Sequence, residues 1–299
     1  KHASNVFGSA LHIEKVFEEA GLPKGCFTTL LINSDGVEAV IENPLVKAVT
    51  LTGSGPAGGA VASLAGEHLK KTVLELGGNN ALIVFEDCDI ASTVETCVNA
   101  RYQNTGQSCI AGKRLLVAES IKEEFISKLK VKIQSLESGN PMDKDTYIGT
   151  PAREDLAKDL EKQVQDSLNM GAVLELGGKG CDAYFEPTLV SNVTPEMPMF
   201  KEETFGPALS VTTFASEEEA IKLSNDSRFG LGVSLFSKDI ERMETLIPQF
   251  EEGAVFINEL VKSDPRLPFG GVKESGYGRE LSQQGILEFV NQKTIYIKK

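Results

Sequence analysis

Short apolar segments alternate with amphipathic segments along most of the 299-residue chain, and this alternation restricts its fold more than any other feature. The segments typical of buried strands are residues 47–52, 72–76, 81–85 and 114–117, and those typical of helices are residues 7–20, 59–70, 90–103 and 121–136. Strands separated by helices favour a parallel sheet with right-handed crossovers. The sequence therefore predicts an α/β fold with a doubly wound, Rossmann-like sheet.

Three other segments carry structural predictions. Residues 26–32 (CFTTLLI) are typical of a buried strand, and the turn at residues 77–80 (GGNN) predicts a hinge between domains. Residues 293–299 (KTIYIKK) alternate between polar and apolar side chains, like an edge strand that needs a partner.

The charge balance and composition exclude several classes of partner. Thirty basic and 43 acidic residues give a net charge of −13, which repels nucleic acid and anionic membranes. No apolar run approaches the roughly 18–20 residues of a membrane span. Five cysteines without CxxC spacing and only three histidines argue against a disulfide framework and a zinc site. We expect a cytoplasmic protein that binds neither nucleic acid, membrane nor metal.

Cys109 ends the segment NTGQSC (residues 104–109), a polar turn between a predicted helix and a predicted strand. Its neighbours Ser108, Ala111 and Gly112 are small, so a substrate has room to reach the sulfur. A reactive cysteine needs such access and a stabilised thiolate, which turn N–H groups help to supply. A lone cysteine is more commonly a buried structural residue, and the local sequence leaves both interpretations open.

Glu75 interrupts the apolar strand VLEL just before Gly77 and Gly78. The C-terminal ends of parallel strands are where such sheets bind ligands, and burial there would raise the pKa of a carboxyl and make it a general base. The alternative is a strand-end glutamate that faces solvent. None of the three histidines has a comparable setting, so a Cys–Glu pair suited to activating water against a thioester fits better than a Cys–His pair.

Three glycine-containing loops are typical of ligand sites, although turn formation alone also explains their glycines. Residues 53–58 (GSGPAG) lie between a predicted strand and a predicted helix and offer free amides suited to a pyrophosphate. The other two loops are residues 201–207 (KEETFGP) and residues 268–280 (PFGGVKESGYGRE).

The segments LTGS, LELGG, NTGQSC, EETFGP and PFGGVKESGYGRE occur in this order across nearly the whole chain. In this the sequence resembles the aldehyde dehydrogenase superfamily, and its details are most similar to the bacterial succinate-semialdehyde dehydrogenase group. The resemblance implies oxidation of an aldehyde, succinate semialdehyde above all, to the acid with NAD or NADP. It also implies the C-terminal part of a dinucleotide-binding domain over residues 1–77, a complete α/β catalytic domain over residues 78–283, and a tail strand over residues 284–299 that joins homodimers or homotetramers.

The resemblance implies the catalytic roles. Cys109 matches the nucleophile, which forms a thiohemiacetal and then a thioester, and its N–H matches one oxyanion donor. Glu75 matches the base that activates water for hydrolysis of the thioester. The second oxyanion donor of the family is an asparagine in an upstream segment that this chain lacks.

The cofactor positions follow from the same resemblance. Gly53 and Ser54 match the pyrophosphate contacts, and Glu203 matches the residue that holds the nicotinamide ribose, with Phe205 beside it. The family's cofactor domain has a longer N-terminal half. A chain without that half is expected to expose an unpaired sheet edge and to be inactive by itself.

Cofactor preference and substrate choice depend on five further positions. Lys1 and Ser4 match positions around the adenosine ribose, where a serine and a lysine tolerate the 2′-phosphate of NADP that a glutamate would repel. Ser263 matches a contact to the substrate carboxylate. Gln103 stands where many members of the group carry an arginine, and Arg101 lies two residues earlier. The missing arginine removes a bidentate carboxylate clamp.

Three alternative functions differ in chemistry. An acylating dehydrogenase would pass the thioester to coenzyme A, and such members often lack a glutamate at the position of Glu75. A catalytically silent relative would keep the fold without the reaction. A cysteine hydrolase without nicotinamide would need a histidine partner for Cys109.

Overall fold

The computed structural model describes residues 1–299 and divides them into two units. Unit 1 comprises Lys1–Val49 and Gly59–Thr72, and unit 2 comprises Thr50–Gly58 and Val73–Lys299. None of the helices is both long enough and apolar enough to cross a membrane.

Unit 1 is mainly helical. Its elements are α1 (Phe7–Glu19), α2 (Val37–Glu42), most of α3 (Gly55–Glu67) and the first residues of β1 (Ala48–Thr52) and β2 (Lys71–Glu75). The predicted helix over residues 7–20 is confirmed, but the strand predicted over residues 26–32 is wrong. No strand pairs with that segment, and Thr29 instead donates to Glu14 Oε2 at 2.8 Å and to the Ala10 carbonyl at 3.0 Å. An apolar run without a neighbouring strand cannot complete a hydrogen-bond ladder.

Unit 2 holds the remaining elements. In chain order they are β3 (Asn80–Val84), α4 (Ile90–Tyr102), β4 (Gly112–Ala118), α5 (Lys122–Gln134), α6 (Glu154–Asn169), β5 (Val173–Leu176), β6 (Gly180–Cys181), β7 (Tyr184–Phe185), β8 (Thr188–Ser191), α7 (Pro198–Lys201), β9 (Ala208–Phe214), α8 (Glu217–Asn225), β10 (Phe229–Gly230), β11 (Val233–Phe236), α9 (Ile240–Leu246), β12 (Val255–Ile257), β13 (Val272–Lys273), β14 (Gly276–Tyr277) and α10 (Ser282–Leu287).

A seven-stranded sheet organises unit 2, with the strand order β12-β11-β3-β4-β9-β8-β5. Its first six strands are parallel, and only the edge strand β5 runs antiparallel to its neighbour β8. β3 and β4 are buried along their whole length, because helices cover both faces of the sheet. The predicted α/β fold with a Rossmann-like parallel sheet is confirmed.

The two faces of this sheet carry separate hydrophobic cores. Leu82 and Val84 of β3 point to the face covered by α4 and α5, while Ala81 and Ile83 point to the face covered by α6, α8 and α9. Successive side chains of a strand point to opposite faces, so one apolar strand supplies both cores. This two-sided packing fixes where β3 and β4 begin, and the segments that carry chemistry lie at those beginnings.

A second, three-stranded sheet has the order β1-β2-β14. β14 runs antiparallel to β2 and pairs Gly276 with Glu75 and Tyr277 with Leu74. Gly276 has a φ of +114°, and a Cβ added there would lie 1.9 Å from the Leu74 carbonyl oxygen. Only glycine therefore allows β14 to approach the strand that ends in Glu75.

Replacing Gly276 by alanine is expected to lower the free energy of unfolding by about 1–3 kcal/mol from backbone strain alone, with a further loss from the clash with Leu74. Urea unfolding measures the effect. The matched control is Gly66→Ala in α3, where an added Cβ meets nothing within 4 Å and helix propensity predicts a gain of about 0.5–1 kcal/mol. An unchanged unfolding midpoint for Gly276→Ala would contradict the account of this pairing.

The C-terminal tail has no regular structure after α10 in a single chain. Residues 293–299 are exposed, including the large apolar side chains of Ile295, Tyr296 and Ile297. The predicted pairing of this tail with a second chain stays a prediction.

Candidate active site

The segment that bears Cys109 joins α4 to β4 through a tight turn. Asp89 caps α4 by accepting a hydrogen bond from the Ser92 N–H at 3.0 Å. After α4, Asn104 and Thr105 have φ values of +54° and +56°, so the backbone reverses through left-handed residues before it reaches Cys109. The Thr105 hydroxyl anchors this turn by accepting from the N–H of Gly149 at 3.0 Å.

The Cys109 thiol is partly buried, so it is neither an inert core residue nor a freely exposed one. Burial is the largest cause that raises the pKa of the Cys109 thiol. The positive charge of Lys113 opposes that rise, whereas the charges of Glu203 and Glu75 add to it. Cys109 is therefore mainly a protonated thiol at neutral pH and needs a base before it can act as a nucleophile.

Glu75 ends β2 in a nearly closed environment. Only 2% of the residue is exposed, and neither carboxylate oxygen has a hydrogen-bond partner. Burial, together with the nearby charge of Glu280, raises the pKa of Glu75 to about 8, although Arg279 opposes the rise. The solvent-facing alternative is therefore wrong, and Glu75 is a buried carboxyl that can exchange a proton near neutral pH.

The high pKa of Glu75 predicts a pH-dependent stability. In the unfolded chain the carboxyl titrates near 4.5, and in the folded chain near 8, so the folded state binds the proton more tightly. Ionisation of Glu75 therefore has no effect on the free energy of unfolding below about pH 4.5, and it lowers that free energy increasingly as the pH rises to about 8. We expect Glu75→Gln to raise the melting temperature at pH 8 and to leave it unchanged near pH 4.5. An equal effect at both pH values would contradict this assignment.

Lys113 and Glu203 form a buried ion pair beside Cys109. Lys113 Nζ lies 3.1 Å from Glu203 Oε1, and its side chain is fully buried while that of Glu203 is 21% exposed. The same ammonium donates to the carbonyls of Ser108 and Cys109, each at 2.8 Å. Glu203 Oε1 also accepts from the Gly78 N–H at 3.0 Å. These contacts join three segments that lie far apart in sequence.

The Gly77-Gly78 turn requires its lack of side chains. A Cβ on Gly78 would lie 2.4 Å from the Cys109 carbonyl oxygen, and one on Gly77 would lie 2.4 Å from Glu203 Oε2. Ser275 holds the turn from the other side, because its hydroxyl donates to the Gly77 carbonyl at 2.7 Å. The turn that follows Glu75 is thus packed directly against the nucleophile segment and the Glu203 side chain.

The other predicted cofactor positions are placed as follows. Gly53 and Ser54 are exposed and immediately precede α3, and the Gly53 N–H donates to the Glu75 carbonyl at 2.9 Å. Phe205 is half-buried in the loop that follows Glu203. Lys1 and Ser4 are exposed residues of unit 1.

The three predicted substrate residues differ in accessibility. Ser263 is exposed and Gln103 is half-buried. Arg101 is fully buried, and its guanidinium donates to the carbonyls of Thr204, at 2.8 Å, and Gly206. Arg101 therefore holds the loop that carries Phe205, and its burial argues against direct contact with a substrate.

Two further residues of this site, Lys113 and Asn79, have only weak signals in the sequence. Lys113 is the second residue of β4, where a lysine is usually interpreted as the solvated start of a strand, and its only sequence signal is its position four residues after Cys109. Asn79 is 2% exposed and donates to the Phe200 carbonyl at 2.7 Å, while its Oδ1 atom is buried without a partner. Its signal was an amide directly after the Gly77-Gly78 turn.

The sequence pattern of the aldehyde dehydrogenase family matches residues 1–295. A Synechocystis protein named "Probable succinate-semialdehyde dehydrogenase (NADP+)" is 47% identical over 300 residues, which cover 99% of this chain and 66% of that protein. Succinate-semialdehyde dehydrogenase (NADP+) 1 of Mycobacterium bovis is 45% identical with the same coverage.

Solved structures agree with these sequence matches. The structure of Gox0499 is 42% identical and superposes with a TM-score of 0.96 over 99% of this chain and 66% of that chain. Succinic semialdehyde dehydrogenase from Streptococcus pyogenes, in complex with NADP+, is 38% identical and superposes with a TM-score of 0.96 over 100% of this chain and 66% of that chain. The chain thus spans 66% of the length of these relatives, slightly less than two thirds. A match over residues 1–295, together with this agreement in fold, establishes that the chain belongs to the aldehyde dehydrogenase family.

Proposed function

We propose that this protein oxidises an aldehyde to the carboxylic acid with NADP or NAD, through a covalent intermediate on Cys109. One observation carries the proposal: a buried, unpartnered carboxyl, Glu75, with a pKa of about 8 acts electrostatically on a partly buried thiol. Membership of the aldehyde dehydrogenase family and the NADP+ in the names of two relatives support it.

Cys109 carries the first half of the proposed reaction. Its thiol must lose a proton to solvent, which its partial exposure allows, and the positive charge of Lys113 favours the thiolate that remains. The sulfur then forms a bond to the aldehyde carbon, and the Cys109 N–H, which donates to no acceptor of the chain, is available to donate to the oxygen that becomes negative. The carbon–hydrogen bond breaks, its electron pair leaves as hydride, and a thioester remains on Cys109.

Glu75 carries the second half. It takes a proton from a water molecule whose oxygen attacks the thioester carbon, the carbon–sulfur bond breaks, and the acid is released with the sulfur restored. A carboxyl with a pKa of about 8 suits this step, because its base form is strong and is still populated near neutral pH. The presence of Glu75 favours hydrolysis over acyl transfer to coenzyme A.

The residues of unit 2 fit part of a nicotinamide dinucleotide. Bound nicotinamide supplies the acceptor for the hydride. Ser54 is exposed at the beginning of α3, and an added Cβ at Gly55 would meet open space, so a pyrophosphate has both access and polar donors there. Glu203 keeps 21% of its side chain exposed and presents a carboxylate suited to ribose hydroxyls. Lys1 and Ser4 are our candidates for the 2′-phosphate of NADP.

Succinate semialdehyde is the substrate we propose, because the two curated relatives carry that substrate in their names. Ser263, which is exposed, and Gln103 are our candidates for contacts to its carboxylate. Arg101 is better suited to support the loop after Glu203. We further propose a cytoplasmic homodimer or homotetramer, which the five free cysteines and the exposed apolar tail support.

The pKa of Glu75 predicts the pH dependence of the reaction. The rate of thioester hydrolysis should rise about tenfold for each pH unit below about 8, where Glu75 is protonated, and level off above it. Steady-state turnover measured under conditions where hydrolysis limits the rate, in buffers of constant ionic strength, gives the profile. A rate that does not change across this range would contradict the assignment of Glu75 as the base.

An aldehyde panel assayed with NADP and with NAD on the full natural protein tests the proposed function. We expect succinate semialdehyde to give the highest kcat/KM and NADP to be accepted. A strong preference for NAD would contradict the roles of Lys1 and Ser4, and the absence of oxidation of any aldehyde would favour a catalytically silent relative. Formation of an acyl-CoA in the presence of coenzyme A would favour the acylating alternative.

A further inference from the structure

Lys113 is the only buried cation that contacts both the nucleophile segment and the carboxylate of Glu203. We infer that Lys113 is a positioning residue, which orients the amide of Cys109 toward the reacting oxygen and holds Glu203 in place for the cofactor ribose. This inference rests on the proposed function, because it assigns Lys113 a part in the same reaction. Neither the family resemblance nor the sequence pattern singled out Lys113.

The hydrogen bonds of Lys113 account for all three of its ammonium protons. Its acceptors are the Ser108 carbonyl, the Cys109 carbonyl and Glu203 Oε1, at 2.8, 2.8 and 3.1 Å. A fully buried ammonium is stable only when it is paired in this way, and here burial lowers the pKa of Lys113 to about 8 while Glu203 opposes the decrease. Lys113 therefore has no ammonium proton left to donate to solvent or to a substrate.

The contact to Ser108 bears on the Cys109 N–H. The Ser108 carbonyl and the Cys109 N–H belong to one planar trans peptide unit, so they point in opposite directions. Holding the carbonyl on the Lys113 side therefore directs the N–H away from Lys113, where it donates to no acceptor of the chain. A cation on the carbonyl oxygen also polarises the amide and strengthens its N–H as a donor.

The contact of Lys113 to Glu203 fixes the Glu203 carboxylate, which the backbone of its loop does not fix by itself. Arg101 holds the carbonyls of Thr204 and Gly206, so the loop backbone stays in place without Lys113. The Glu203 carboxylate would then keep only the Gly78 N–H, at 3.0 Å. One donor fixes a position but leaves rotation about the side-chain bonds, whereas Lys113 and Gly78 together fix Oε1 from two directions and leave Oε2 available.

The test compares Lys113→Met with wild type in the full natural protein. We expect the single-turnover rate of hydride transfer to fall about 10- to 100-fold at saturating cofactor, because the oxyanion donor is misdirected. We also expect the Kd for NADPH, measured by its fluorescence, to rise about tenfold. Lys130→Met is the matched control, since Lys130 is a partly exposed lysine paired with Glu175. This control should leave both quantities within about twofold of wild type.

Two results would overturn the inference. One is a folded Lys113→Met protein with unchanged hydride transfer and unchanged Kd. The other is a Lys113→Met preparation in which only part of the protein is active, while that active part has the hydride-transfer rate and the Kd of wild type. This result would indicate a purely structural role for Lys113. Measuring the Kd requires no turnover. A protein whose affinity for NADPH depends on Lys113 but that oxidises no aldehyde would therefore count against the proposed function and not against the positioning of Glu203.

Glu203→Gln keeps the test decisive if Lys113→Met does not fold. This variant preserves the shape of the side chain and the two carbonyl contacts of Lys113. It is expected to raise the Kd for NADPH about tenfold and to slow hydride transfer at saturating cofactor by less than about tenfold, a smaller loss than that of Lys113→Met, because the Ser108 contact remains. An unchanged Kd, or a loss of hydride transfer as large as that expected for Lys113→Met, would contradict the separate roles assigned to the two contacts.

Discussion

Replacing Cys109 by alanine is expected to reduce aldehyde oxidation by at least about 10⁴-fold, because no other group of the site can form the carbon–sulfur bond. The fold should persist, since Cys109 is only partly buried and alanine leaves the contacts of Lys113 to the backbone intact. Reduction of NADP followed at saturating aldehyde measures the loss, and the Kd for NADPH should remain close to that of wild type.

Cys181→Ala is the matched control for this experiment. Cys181 is an exposed free cysteine in β6, which pairs only with β7 and is not part of the seven-stranded sheet that contains β4. Its replacement should leave turnover unchanged. Activity of Cys109→Ala above about 1% of wild type would contradict covalent catalysis by this residue.

Replacing Glu75 by glutamine is expected to lower steady-state turnover by about 10²–10³-fold while the first hydride transfer survives. Glutamine fills the same buried space but cannot accept a proton from water, so the thioester should form and then persist. Rapid mixing with aldehyde and NADP should show a burst of NADPH close to one equivalent per active site, followed by very slow turnover.

Glu86→Gln provides the control, because Glu86 is exposed at the opposite end of β3. It should show normal turnover and no accumulation of an intermediate. If Glu75→Gln lost the burst together with turnover, Glu75 would be needed to deprotonate Cys109, and its assignment to the hydrolysis step alone would be wrong.

The alternation of strands and helices was predictable because a parallel strand covered on both faces is an apolar run, as in β3 and β4. The apolar run at residues 26–32 forms no strand, because it has no strand beside it. β5–β8 have no comparable sequence signal, since they have at most four residues each and lie among glycines. Pairing decides whether such segments become strands, and pairing is not a local property of sequence.

The candidate site was only partly predictable for a related reason. Cys109 and Glu75 stand out locally, one in a glycine-containing turn and the other as a charge inside an apolar strand. The role of Lys113 depends on acceptors from its own segment and on Glu203, which lies 90 residues further on and is brought close by the pairing of β4 with β9. Arg101 illustrates the same limit, since its burial against the Thr204 carbonyl is a consequence of packing.

The most direct test of the account is the mass of intact Glu75→Gln protein after reaction with succinate semialdehyde and NADP. We expect a mass increase equal to one succinyl group, located on Cys109 by peptide mapping and absent when Cys109 is also replaced by alanine. Wild-type protein treated in the same way should show no lasting adduct. An unmodified Cys109 in a Glu75→Gln protein that has released one equivalent of NADPH would contradict a thioester intermediate that Glu75 resolves.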